Sequence, residues 1–154
     1  MNIRKKLKSM GYELPKVASP AANYVPYVIA DDDLLFISGQ IPFLNGQPMH
    51  IGKVGADLTL QQGIDAAKAC ALNILAQADA AVKGDWKKIR RLVKIGGFVN
   101  CTPAFINHPQ ILNGASDLLV GVMGEAGKHT RFAVGAPSLP LGVAVEIEAL
   151  FELK

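Results

Sequence analysis

A chain of 154 residues that is 50% hydrophobic and 19% charged can bury about 68–70% of its unfolded surface in one core, and no composition break divides it in two. The net charge of +3 and pI near 8.9 are mild, and the two cysteines form no CxxC, which argues against a zinc module and against a dedicated nucleic-acid domain. No apolar run approaches the ~18 residues of a membrane span, and MNIRKKLKSM leads into no apolar h-region, so a soluble cytoplasmic protein is expected.

Ile3, Leu7 and Met10 share one face of a short helix that Asn2 caps and Gly11 ends. LPKVASPAAN then reads as an extended connector punctuated by proline. Residues 1–22 are therefore expected as helix and connector ahead of a single domain over 23–154. YVPYVI and LLFISGQIPF read as two strands joined by the turn ADDD, and the continuous apolar run Leu34 to Ile37 suits a strand covered on both faces. Asn45-Gly46 marks a hairpin turn, with a third strand expected at PMHIG.

The strongest helical signal follows. Thr59 with Gln62 forms a capping box, Leu60, Ile64, Ala67, Ala71, Leu75, Ala78 and Val82 recur at helical spacing, and Gly84 can end the run. Its apolar face is mostly alanine, so it can lie close against a sheet. RLVKIGGFVNC has strand composition, and Gly96-Gly97 suggests a bulge or a close backbone approach. A second helix is expected from Pro109 to about Gly124, then a strand at RFAV and a Gly/Pro/Ser link. In the final strand Val143, Val145, Ile147, Ala149, Phe151 and Leu153 alternate with Ala144, Glu146, Glu148, Leu150 and Glu152.

The order strands, helix, strand, helix, strands predicts right-handed crossovers that place both helices on one sheet face. The other face has no helix left to cover it, yet apolar residues are expected there around Leu35, Ile37, Val93 and Ile95. A half-bare apolar sheet calls for another subunit, and a closed homo-oligomer is expected.

FISGQIP at 36–42, the arginine-led TRFAV and the terminal AVEIEA at 144–149 together resemble the YjgF/RidA family of reactive-intermediate imine deaminases. The likeness runs from about Tyr24 to Leu153 and points to a longer-chain subgroup. It implies a chorismate-mutase-like α+β fold with a mixed sheet, two helices on one face and a homotrimer with clefts between subunits. By the same resemblance Arg131 clamps a substrate carboxylate and Glu146 holds the attacking water. Tyr24, with Tyr27 as its competitor, Ser38, Gly39 and Asn113 line the cleft, and the amide of Ala133 supports the arginine. The implied reaction is hydrolysis of small imino or enamino acids to 2-oxo acids and ammonia, with no cofactor and no metal. Phe132 departs from the family pattern after the arginine, where it either narrows the cleft or enters the core.

The chemistry suits the residue types. A guanidinium gives two parallel donors to a carboxylate, and a nearby carboxylate can orient a water and take its proton. Competing readings remain: Arg131 as a surface ion pair, and Glu148 as a decoy that periodicity alone does not separate from Glu146. His50, His108 and His129 have no partner at metal spacing and are left unassigned, and Ser38 lacks the GxSxG elbow of a nucleophile. Cys70 and Cys101 read as buried thiols. Two other functions stand beside the deaminase: a non-catalytic oligomer that binds a carboxylate metabolite or a partner protein, and, ranked last, a ribonuclease supported only by the basic cluster at 87–94.

Overall fold

The computed structural model describes residues 2–17 and 23–154, so part of the expected connector, 18–22, lies outside the described residues. Among the described residues the chain forms α1 (Ile3–Ser9), β1 (Tyr27–Ala30), β2 (Leu34–Gln40), β3 (Phe43–Leu44), β4 (Gln47–Pro48), α2 (Leu60–Ala81), β5 (Ile89–Asn100), α3 (His108–Met123), β6 (Thr130–Ala136) and β7 (Val145–Leu153). The five longer strands make one mixed sheet in the order β1-β2-β7-β5-β6; all neighbours are antiparallel except β5 and β6, which run parallel on either side of α3. No helix among these residues is long and apolar enough to cross a membrane.

Local chemistry sets the element ends. Asn2 Oδ1 accepts from the Lys5 amide and caps α1, while Thr59 and Gln62 complete the capping box of α2. β3 and β4 form a small hairpin around Asn45-Gly46; the strand expected at PMHIG is confined to its first residue, Pro48, with Ile51 making one further bridge to Val143.

α2 and α3 pack side by side on the same sheet face, α2 over β2 and β7, α3 over β5 and β6. The alanine stripe of α2 (Ala66, Ala67, Ala71, Ala78) is fully buried and lets the helix axis approach the strands closely. Position 97 shows how close the layers come: a Cβ on Gly97 would stand 2.3 Å from Leu112 Cδ1 of α3. β7 is the central strand, and its burial alternates strictly, with Val145, Ile147, Ala149, Phe151 and Leu153 against the helices.

The far face is uncovered, as expected, but its apolar residues are different ones. Leu35, Ile37 and Ile95 are 0%, 3% and 0% exposed and face the helices, while Val93 is half-buried beside the bulge between Leu92 and Lys94. The bare face instead carries Val28, Phe36, Phe98 and Val134, each exposed. The physical reason is parity: in a strand one residue of offset transfers a side chain to the opposite face, and the run Leu34 to Ile37 straddles both. Phe132 also lies on the bare face, edge-on to Phe98 with ring centroids 5.4 Å apart and with Lys94 Nζ 5.3 Å from its ring centre. Of the two expectations for it, entry into the core is therefore overturned.

α1 joins the helical layer rather than the bare face, burying Ile3 and Leu7 completely. Asp79 near the end of α2 fastens it: Oδ2 accepts from Arg4 at 2.6 Å and Oδ1 from Trp86 Nε1 at 2.7 Å. The two bonds differ in worth. Asp79 and Trp86 are buried, whereas the Arg4 side chain is 69% exposed. Asp79→Ala is therefore expected to cost about 1–3 kcal/mol through the stranded indole N–H. Arg4→Ala should cost at most about 1 kcal/mol. Urea unfolding of both variants checks this, and equal losses would refute the assignment.

Candidate active site in two halves

The predicted site residues fall into two groups on opposite faces of the sheet. The first gathers around Arg131 on the edge strand β6, whose side chain points to the helix side. Nη1 donates to Ser116 Oγ at 3.0 Å; Nη2 donates to Asn113 Oδ1 at 2.8 Å and to the Pro109 carbonyl at 3.2 Å. Pro109, Asn113 and Ser116 share one face of α3, at the i, i+4, i+7 spacing of a helix. All three acceptors are neutral. Among the described residues no carboxylate lies within ion-pair distance of Arg131, and two of its five N–H donors make no hydrogen bond. The guanidinium is held in place with its charge uncompensated, which suits capture of an anion and excludes the surface ion pair considered from sequence.

Two further residues brace this arginine: Ser116, not considered from sequence, and His129, left unassigned there. Ser116 Oγ accepts from Arg131 and can then give its own proton to His129 Nε2, 3.0 Å away. His129 Nδ1 lies 2.6 Å from the Gly127 carbonyl, an arrangement that places a proton on Nδ1. The signal was present in retrospect: residues 129 and 131 alternate onto one face of the chain entering β6. Ala133 follows on that same face, opposite Gly97 in the parallel ladder.

The second group surrounds Glu146 on β7, on the uncovered face. Gly39 of β2 abuts it so closely that a Cβ there would stand 2.3 Å from Glu146 Oε1, so the glycine makes the room the carboxylate occupies. Glu146 makes no ion pair among the described residues, and desolvation raises its carboxyl above the ordinary value of 4.5. A carboxylate so placed is a stronger base than one in water. Glu148, the decoy of the alternation, is exposed instead, two residues along the same face.

Ser38 does not offer a nucleophile. Its hydroxyl donates to the Val25 carbonyl at 2.8 Å and its amide to Pro26 O at 3.0 Å, tying the segment before β1 across the end of β2. That tether sets Tyr24, 53% exposed, at the mouth of a groove of about 960 Å³ that also runs past Gly39, Phe43, Asn73 and Gln77. Tyr27, by contrast, packs partly against the core.

Arg131 and Glu146 do not meet within one protomer. They sit on opposite faces, with β5 between their strands. Among the described residues no three of His, Cys, Asp and Glu converge in a way that could hold a metal ion.

Residues 4–153 match the family described as "YjgF/chorismate_mutase-like, putative endoribonuclease". Protein TCP17 of Trypanosoma cruzi is 45% identical over 148 residues, covering 96% of this chain and 91% of that protein. The crystal structure of Atu1372 from Agrobacterium tumefaciens, a protein of unknown function, is 44% identical and superposes with a TM-score of 0.92 over 99% of this chain and 94% of its own. E. coli TdcF with bound serine shares the fold at 22% identity and a TM-score of 0.63, over 89% of this chain and 93% of that one. A mixed sheet with all its helical cover on one face, matched across nearly the whole chain, makes this protein a member of the YjgF/chorismate-mutase-like family.

Proposed function

We propose that this protein is a cytoplasmic homotrimer that hydrolyses small reactive imino and enamino acids to 2-oxo acids and ammonia in clefts between subunits. The single observation that carries the reading is the uncompensated guanidinium of Arg131, held rigid by three neutral acceptors. A half-buried carboxylate, Glu146, which makes no ion pair among the described residues, lies on the other face of the same sheet. Two half-sites on opposite faces become one site when the uncovered apolar face of one protomer is packed against its neighbour. A fold relative, TdcF, holds serine, itself a small carboxylate-bearing amino acid.

In this mechanism the substrate carboxylate lies against the remaining donors of Arg131, which fixes the position of the adjacent C=N carbon. Glu146 orients a water, takes one of its protons and directs the oxygen to that carbon, while the C=N electron pair goes to nitrogen. Starting from the protonated imine this gives a neutral carbinolamine; Glu146 returns the proton to its nitrogen and then takes the hydroxyl proton as the C–N bond breaks, so ammonia leaves as the carbonyl forms. Asn113, Ser116 and His129 touch no reacting atom; they hold the guanidinium.

A carboxylate-binding oligomer without turnover is the second reading, since it needs only the Arg131 half. The ribonuclease reading is weakened because Arg90 and Arg91 of the basic cluster both pair with Glu152, at 3.2 and 3.3 Å. Ammonia release from 2-aminoacrylate generated in situ by a dehydratase separates these readings, because binding measured by calorimetry without acceleration would leave only the second. Arg131→Ala should lower kcat/KM roughly 10–150-fold, the loss of a charge-assisted contact, with the oligomer retained in gel filtration. Glu146→Gln should lower kcat about 10²–10⁴-fold. An unchanged rate in either variant would sink the mechanism.

Glu146 also predicts a pH effect on folding. Its folded pKa is raised, so the native state holds the proton more tightly than the unfolded chain. Stability then falls as pH rises from the ordinary value of 4.5 through the raised one, and stays lowered above it. Glu146→Gln should be more stable than the parent at neutral pH, and this advantage should vanish below the ordinary value. Thermal melts across that range check the sign.

A further inference from the structure

Cys101 follows the end of β5, and His108 opens α3. The thiol Sγ and the imidazole Nε2 lie 3.4 Å apart, within the reach of a nucleophile and its base. Phe105 stands edge-on to the His108 ring at 5.5 Å and 87°, which limits its rotation. The pair is thinly covered: Cys101 is 7% exposed and the residue above it, Gly135 of β6, is itself exposed. A Cβ on Gly135 would stand 2.8 Å from Nε2 and 2.9 Å from Sγ, so the missing side chain leaves both atoms approachable along one line.

The surroundings are cationic. Lys53 Nζ donates to Asn100 Oδ1 at 3.0 Å and to the Pro137 carbonyl, and its charge acts on the Cys101 thiol. Arg131 reaches the carbonyl of Pro109, the residue next to His108. The second cysteine differs: Cys70 is wholly buried in the core, and its one side-chain hydrogen bond among the described residues is to the Val145 carbonyl at 3.6 Å. Neither Cys101 nor His108 serves the hydrolysis described above.

We propose that Cys101 and His108 form a nucleophile–base pair that captures small carbon electrophiles bearing a carboxylate, such as α,β-unsaturated oxo acids. Sγ bonds to the β-carbon as its proton passes to His108 Nε2. The C=C electron pair moves to the α-carbon, which takes the proton back from the imidazolium, and a thioether remains. Lys53 and Arg131 supply the preference for an anionic partner. Burial lifts the thiol above its ordinary value, so the resting pair is a neutral thiol and the histidine is needed to release the proton at the moment of attack.

The probes are iodoacetate and iodoacetamide, which displace iodide and differ in charge, applied to the full-length native protein with the labelled cysteine mapped by mass spectrometry. Cys101 should react at least tenfold faster than Cys70. The iodoacetate-to-iodoacetamide rate ratio at Cys101 should be at least threefold higher in the native protein than in urea. His108→Asn should slow the Cys101 reaction at least tenfold, with His108→Gln as the second variant should the first lose its native circular dichroism. Labelling of Cys101 no faster than Cys70, a charge ratio unchanged in urea, or a rate indifferent to His108 would each overturn the pair's role.

Discussion

The fold depends on the unequal covering of one sheet. α2 and α3 lie on a single face, and the central strand β7 answers with an unbroken alternation: five aliphatic or aromatic residues turned inward, and Glu146, Glu148, Leu150 and Glu152 turned away. Burial of the inward set drives folding, at about 25 cal/mol per Å² of apolar surface removed from water. The outward set bears none of that load. It is therefore free to carry a charged group where a core would not tolerate one, and Glu146 occupies that freedom. The same asymmetry leaves Phe36, Phe98 and Val134 exposed on the face that carries Glu146.

Arg131 shows the complementary economy on the covered face. As the edge strand, β6 lies under α3 only along one side, and a long side chain can run along the helix and keep its head accessible. Three neutral oxygens from consecutive turns of α3 set its direction without neutralising it. A carboxylate partner would have held the arginine equally well but would have neutralised its charge. Placing such groups on a helix and a strand, rather than on loops, limits their movement.

Close packing explains the glycines that border both halves. Gly39 yields its side-chain volume to Glu146 and Gly97 yields its own to Leu112. Neither needs an unusual backbone angle, so each is required for space rather than for conformational freedom. Gly135 belongs to the same class, with Cys101 and His108 below it. Substitution at these three places would therefore act on the neighbour's position before it acted on the strand.

Much of the architecture was legible in the sequence. The capping box at Thr59, the alanine stripe of α2, Pro109 in the first turn of α3 and the alternation of β7 are local or periodic signals, and each is written within one element. The motif resemblance added the identity of Arg131 and Glu146. Two things were not legible. The composition of the bare face hung on strand parity, which an apolar run such as Leu34 to Ile37 does not reveal and which the bulge near Val93 alters. Nor does periodicity report contacts between distant segments: the brace of His129 and Ser116 on Arg131, the approach of Cys101 to His108, and the placement of Arg131 and Glu146 on opposite sides of one sheet. Sequence determined which elements form and which faces are oily. Only the tertiary structure decided which side chains share a face, because that follows from how strands pair and where helices lie across them.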